Sequence, residues 1–243
     1  MNNDLTICRN CSDEVTGKFC GNCGQVARLK RVDFHYVSHE IQHLLHFEKG
    51  LLYTLKALLL RPGRTVKEFL LEDRNRLVKP VIFIIITSLV YTTIDHFFHI
   101  EAEYINYNIN NGPVTTGILQ WIQNHYGYTN IMLGVVIGLW IKVFFKKYAY
   151  NFYEILVLLC FVMGMGMLFA AGFALADGLF KIKLMLYGGY IGSAYCAWAI
   201  GQFFDGKKIM SYVKSLIAYA LGMLSFTMSA CLIGLIIDGL MKH

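Results

Sequence analysis

Charge is what this chain has least of. Asp, Glu, Lys and Arg make up 16% of its 243 residues, against roughly 25% in soluble domains, so a water-facing surface cannot extend over all of it. The deficit is uneven. Residues 1–79 hold 13 of the 22 Lys/Arg and 9 of the 16 Asp/Glu, so the first third reads as soluble or membrane-surface and the rest as membrane. Met1–Cys8 is polar and lacks the apolar core of a secretory signal, which sets the expectation of a cytosolic N-terminus. From His99 to Thr129 there is no Lys or Arg at all. Charge is also nearly missing from the middle of the apolar runs. Glu154, Asp177 and Asp238 fall near run ends, and Asp95 and His96 in the last turn of the first run. An ion-coupled transporter needs ionisable groups deep in the membrane, so this poverty argues against one. No nucleophile elbow, P-loop, H-E-x-x-H or dinucleotide fingerprint occurs.

What is present is apolar length. A helix needs about 20 mostly apolar residues to cross a 30 Å hydrocarbon core. Five stretches qualify, at about residues 80–98, 128–145, 152–176, 184–204 and 212–240. The fold class expected is an all-α multi-pass membrane protein of about five transmembrane helices with a small N-terminal zinc ribbon. Its segments are a ribbon over 1–27, amphipathic or interfacial helices over 28–79, and a transmembrane bundle over 80–243. Small residues recur at a spacing of four, as Gly134/Gly138, Gly188/Gly192 and Ala218/Gly222. Such pairs let helix backbones approach closely, inside the bundle or across a homo-oligomer seam. Tyr126, Tyr128, Tyr148, Tyr150, Tyr153 and Tyr187 suit an interfacial aromatic belt.

Basic residues set orientation. Segment 1–79, the Lys142/Lys146/Lys147 group and the Lys207/Lys208/Lys214 group fall on one side if the N-terminus is inside. Lys181, Lys183 and Lys242 are then the exceptions. This places the protein in the cell's inner (cytoplasmic) membrane, N-terminus cytoplasmic and C-terminus outside. The second run is the shortest and contains Lys142, so it could be re-entrant instead of crossing.

Cys8, Cys11, Cys20 and Cys23 form C-x2-C-x8-C-x2-C. Each C-x2-C presents two thiolates from a tight turn, and two such knuckles close a tetrahedral shell around Zn2+. One structural zinc per chain is expected, with Gly21 and Gly24 serving the turns and the metal supplying most of the folding free energy. Cys160, Cys196 and Cys231 lie in apolar runs and read as free thiols. The ribbon invites a protein partner. The basic residues around it favour anionic headgroups over nucleic acid.

Asp33–Glu48 reads as an amphipathic helix stopped by Gly50. Phe34, Val37, Ile41, Leu44 and Leu45 share an arc of roughly 100°, and His35, His39, His43 and His46 an opposite arc of roughly 80°. The histidine stripe is read as a solvated or packing face, a second metal site, or a pH sensor. Leu51–Leu60 is interfacial. A short helix begins at Arg64 or Thr65 and runs to Leu71, with Glu68 placed for a capping box against Thr65. Arg61, Arg64, Arg74, Arg76 and Lys79 either anchor the positive side or contact lipid headgroups.

The stretches CRNC…GKFCGNCGQ and HFEKGLLYTLKALLLRPGRTVKEFL, with R-x-R-x-x-x-KP before the first span, resemble an uncharacterised bacterial membrane family, domain of unknown function 3667. The resemblance covers about residues 8–80. It implies a zinc ribbon joined to a multi-span bundle and no known activity. Five spans after a cytosolic N-terminus are also similar in layout to Yip1-like membrane proteins, a likeness of topology alone. Three functions fit the residues: a non-enzymatic scaffold or adaptor, a transporter or channel for a lipid or neutral solute, and a membrane-surface metal-dependent enzyme using the histidine stripe. Membrane lipids are expected partners in each.

Overall fold

A computed structural model describes residues 6–8, 11–15, 17–24, 47–74, 76–98, 113–181 and 183–241. The chain divides into two compact units, Met1–Glu48 and Lys49–His243. The first contains a two-stranded antiparallel ladder of β1 (Thr6–Ile7) and β2 (Glu14–Val15), with Thr6 opposite Val15 and Ile7 opposite Glu14. The histidine stripe lies outside the described residues.

The helices are α1 (Phe47–Leu60), α2 (Pro62–Leu71), α3 (Pro80–Phe98), α4 (Pro113–Asn124), α5 (Tyr126–Phe144), α6 (Phe152–Phe180), α7 (Met185–Asp205) and α8 (Ile209–Met241). Four stretches are long and apolar enough to cross a membrane: Pro80–Phe98, Gly127–Phe144, Phe152–Phe180 and Ile209–Met241. The run expected as the fourth span does form a helix, α7, but is not among them. Gly, Tyr, Ser and Gln dilute its apolarity. It has less need of apolarity, because much of its surface, from Gly188 to Phe204, meets protein and not lipid. At 21 residues it is about 31 Å long.

The helices pack in alternating directions. α6 and α7 run antiparallel, with Gly188 against Phe173, Gly192 against Gly166, and the Cys196 thiol 3.5 Å from the Val162 carbonyl. α7 and α8 do the same, through Gly201 against Tyr212 and the Ser215 hydroxyl donating to Ala197 O at 2.6 Å. α3 lies parallel to α6, from Phe83 beside Gly164 to Phe98 beside Gly178. The Gly134/Gly138 and Gly188/Gly192 pairs face α6, and Gly222 faces Ile137 of α5, so these small residues make close seams within one chain. Phe83, Phe161, Ile137, Leu158, Ile200 and Phe203 are fully buried at the centre.

Local signals explain the helix ends. α6 opens on a capping box: Asn151 Oδ1 accepts from Glu154 N at 2.9 Å, and Asn151 N donates to Glu154 Oε2 at 2.7 Å. It closes at Lys181, in a left-handed conformation with φ 54°. Asp177 then starts α7, its Oδ2 accepting from Leu184 N at 3.1 Å and Met185 N at 3.2 Å. Asp238 does the same for α4, accepting from Val114 N at 2.9 Å, Thr115 N at 3.0 Å and Thr115 Oγ1 at 2.7 Å. Thus the two acids set deepest among the apolar helices both cap helix N-termini. α4 itself is a helix where the sequence indicated only a loop.

Two expectations upstream of the bundle are corrected. Gly50 does not stop a helix; α1 runs through it, and Thr54 Oγ1 donates to Gly50 O at 2.6 Å while accepting from Val78 N at 3.1 Å. α2 begins at Pro62, whose missing N–H suits a first helical position. The Thr65–Glu68 capping box does not form, because Thr65 Oγ1 donates to Ala57 O at 3.1 Å and Glu68 pairs with Arg64. The α1–α2 hairpin seats on the bundle. Tyr195 OH donates to Leu58 O at 2.8 Å, Gly63 N to Gln202 Oε1 at 2.8 Å, and Phe69 meets Phe161 edge-on at 5.3 Å. Lys67 lies over the Phe203 ring at 5.7 Å. Lys146, Lys147, Lys208 and Lys214 line a groove at that same end. Most of the basic residues therefore gather at one end of the bundle, and Asp177 and Asp238, with Lys181 and Lys183, mark the other.

Candidate metal centre

The two knuckles of the N-terminal unit are built alike. In the first, Ser12 N donates to Cys8 O at 2.9 Å; in the second, Gly24 N donates to Cys20 O at 2.9 Å. Ser12 and Gly24, each directly after the second cysteine of its knuckle, both hold positive φ, 61° and 73°. That conformation costs Gly nothing and a side-chain-bearing residue roughly 1–2 kcal/mol. Cys8 N donates to Asp13 O at 2.8 Å, which ties the first knuckle to the strand that follows. Gly21, expected to serve a turn, has no positive φ, and an added Cβ there would meet nothing within 4 Å. Ser12 was the residue missed, and the repeated Asn-Cys-Ser/Asn-Cys-Gly ending of the knuckles was the signal for it.

These turns bring all four Sγ atoms within 4.8 Å of one another. The closest pairs join the two knuckles, Cys8–Cys23 at 3.5 Å and Cys11–Cys20 at 3.4 Å. Sulfurs bound at about 2.3 Å to a tetrahedral ion sit about 3.8 Å apart, so the quartet fits one ion with only small shifts. Among the described residues it is the one group of three or more His, Cys, Asp or Glu with such geometry. Four thiolates fill a tetrahedral shell and leave no position for substrate, so a metal here is structural. Among the described residues, Val15 joins Cys8, Cys20 and the partly buried Cys11 in a small core. The Asp13 backbone N–H draws the Cys11 thiol toward ionisation, but the hydrogen bonds its S–H makes with Cys23, Cys20 and Cys8, together with desolvation, outweigh it and push the thiol up to about 12.

Of the five basic residues proposed for headgroups, the structure brings three together. Arg61, Arg64 and Arg76 line a groove of about 480 Å3 between α1 and α2, joined there by Lys56. Arg74 turns back to Leu70 O at 3.5 Å, and Lys79 does not line the groove. Within the bundle, a cavity of about 210 Å3 is walled by Gly166, Gly188, Gly189 and Gly192 together with Met163 and Met167. Gly164 instead packs on Phe83. Among the described residues, no buried side-chain nitrogen or oxygen lacks a partner.

Residues 48–92 match the family described as Protein of unknown function (DUF3667). The match covers α1, α2 and much of α3, including the Arg61-Pro62-Gly63 turn, and leaves the cysteine quartet outside it. No curated protein and no solved structure matches the chain. The chain is thus an integral membrane protein that carries a domain of unknown function and a four-cysteine site able to hold a metal ion.

Proposed function

We propose that the protein is a non-enzymatic membrane scaffold or adaptor, displaying a zinc-stabilised ribbon on the cytoplasmic face of the inner membrane. The closed thiolate quartet carries this reading: it builds a rigid recognition module and offers no site for a reaction. Zinc is the metal that two C-x2-C knuckles favour, and in small zinc modules it contributes about 10–16 kcal/mol to folding, far more than a core of this size. The gathering of Lys67, Lys146, Lys147, Lys208 and Lys214 at one end supports an N-terminus inside. The antiparallel seating of α7 between α6 and α8 supports its service as a fifth crossing, which leaves the C-terminus outside.

The test is to solubilise the full chain mildly and to measure metal per chain and bound partners together. About one zinc is expected, with a protein partner or homo-oligomer lost in C8S/C20S. A bare monomer, identical in wild type and variant, refutes the scaffold.

The glycine-walled cavity favours a second reading, a carrier or channel for a lipid or neutral solute. Reconstituted vesicles that pass none of a panel of neutral solutes and scramble no lipid would remove it.

A further inference from the structure

We propose that the groove between α1 and α2 is a binding site for a phosphate group, presented by an anionic lipid headgroup or as free phosphate. Four cations, Lys56, Arg61, Arg64 and Arg76, face one space of about 480 Å3, with Glu68 the one acid lining it among the described residues. Glu68 is paired with Arg64, Nε to Oε1 at 2.7 Å, and the lining as a whole keeps more positive than negative charge. Glu72 and Asp73 line an adjoining cleft of about 30 Å3 that Glu68 and Arg76 also line, so Arg76 stands between the two spaces. Arg76 is held ready by the Tyr53 ring, its Cζ 5.0 Å from the centroid, which fixes the plane of the guanidinium and limits the ordering cost of binding.

The frame is rigid. Thr65 ties α2 to α1, and Thr54 ties α1 to Val78, two residues beyond Arg76. Guanidinium forks match phosphate oxygens in pairs, whereas lysines act as point charges. That distinguishes this groove from the one of about 310 Å3 lined by Lys146, Lys147, Lys208 and Lys214, where Lys208 is already paired with Asp205 at 2.8 Å. Leu52, Leu59 and Leu60 are exposed on α1, and apolar side chains so placed hold an interfacial helix at headgroup depth. The site does not depend on the scaffold reading.

The full-length protein in a zwitterionic detergent is titrated separately with dihexanoyl phosphatidic acid and with inorganic phosphate, and binding is read by calorimetry. Saturable binding is expected. Losing two charge-assisted contacts in R61Q/R76Q should weaken it by about tenfold or more, and K146Q/K147Q, with the same charge change, by less than about twofold. E68Q removes the competing carboxylate and should tighten binding, a gain that misfolding cannot mimic. Equal affinity for both ligands identifies free phosphate as sufficient; binding of the lipid alone identifies a headgroup site. No saturable binding to either, or equal weakening in R61Q/R76Q and K146Q/K147Q, overturns the proposal.

Discussion

Gly63→Ala tests how the α1–α2 hairpin is held. A Cβ at Gly63 would lie 2.5 Å from Gln202 C and Phe203 N and 2.7 Å from Gln202 O. All three are backbone atoms of α7, so no rotamer change relieves the overlap, and α2 must retreat by about 1 Å to regain ordinary contact. That retreat stretches the 2.8 Å bond from Gly63 N to Gln202 Oε1 beyond hydrogen-bonding range. It also loosens Val66 and Phe69, both buried. Overpacking costs about 1–3 kcal/mol and the lost bond about 1 kcal/mol. Alanine's better helix propensity returns about 1 kcal/mol. The net is a loss of about 2 kcal/mol, or about thirtyfold in the folding equilibrium. The control is Gly172→Ala in α6, where an added Cβ meets nothing within 4 Å, so it should be neutral or gain up to about 1 kcal/mol. Unfolding in mixed detergent–SDS micelles, followed by tryptophan fluorescence, measures both. A G63A midpoint equal to that of wild type, or a G172A loss of the same size, would refute the packing argument.

Three further outcomes are expected. Metal must displace the proton on Cys11, whose thiol is pushed up to about 12; uptake at pH 7 should therefore release protons, and metal content should fall as the pH falls, read by elemental analysis after dialysis. Ser12 sits at φ 61°, so Ser12→Gly, which relieves a strain of roughly 1–2 kcal/mol, should strengthen metal retention against a competing chelator, and Ser12→Val, whose branched Cβ fits that conformation worse than serine, should weaken it. Asp238→Asn should loosen the start of α4, because an amide cannot reproduce a carboxylate that accepts three hydrogen bonds; a cost of about 1–2 kcal/mol should appear as faster proteolysis near Pro113, and an unchanged rate would contradict the cap.

The sequence foretold elements whose cause lies within themselves. Pro80–Phe98 is apolar throughout and bounded by a proline, and its span was placed to the residue. The cysteine spacing put four thiols together because a knuckle is a four-residue event. What escaped was decided elsewhere in the chain. α4 is anchored by Asp238, more than a hundred residues away, and no local pattern announces that. α2 starts at Pro62 and not at Thr65 because Thr65 is taken by α1 and Gly63 by Gln202. α7 looked like a span by its length, yet Gly188, Gly192, Gly201 and Tyr195 are buried against protein. The basic cluster was visible as composition, but only the hairpin shows that Lys56 belongs to the groove and Arg74 does not.

The seat of α2 is made by a residue 139 positions further along the chain. At about 5–20 residues per second of synthesis, the hairpin emerges roughly 7–28 s before Gln202 exists to receive it. For most of that interval Phe161 and Tyr195, which meet Phe69 and Leu58, do not exist either, and these residues, buried in the finished protein, need shielding by the membrane surface or by a chaperone. The exposed leucines of α1 would then hold the nascent chain at the bilayer, and docking would come as a late checkpoint, closing only once α7 has packed against α6.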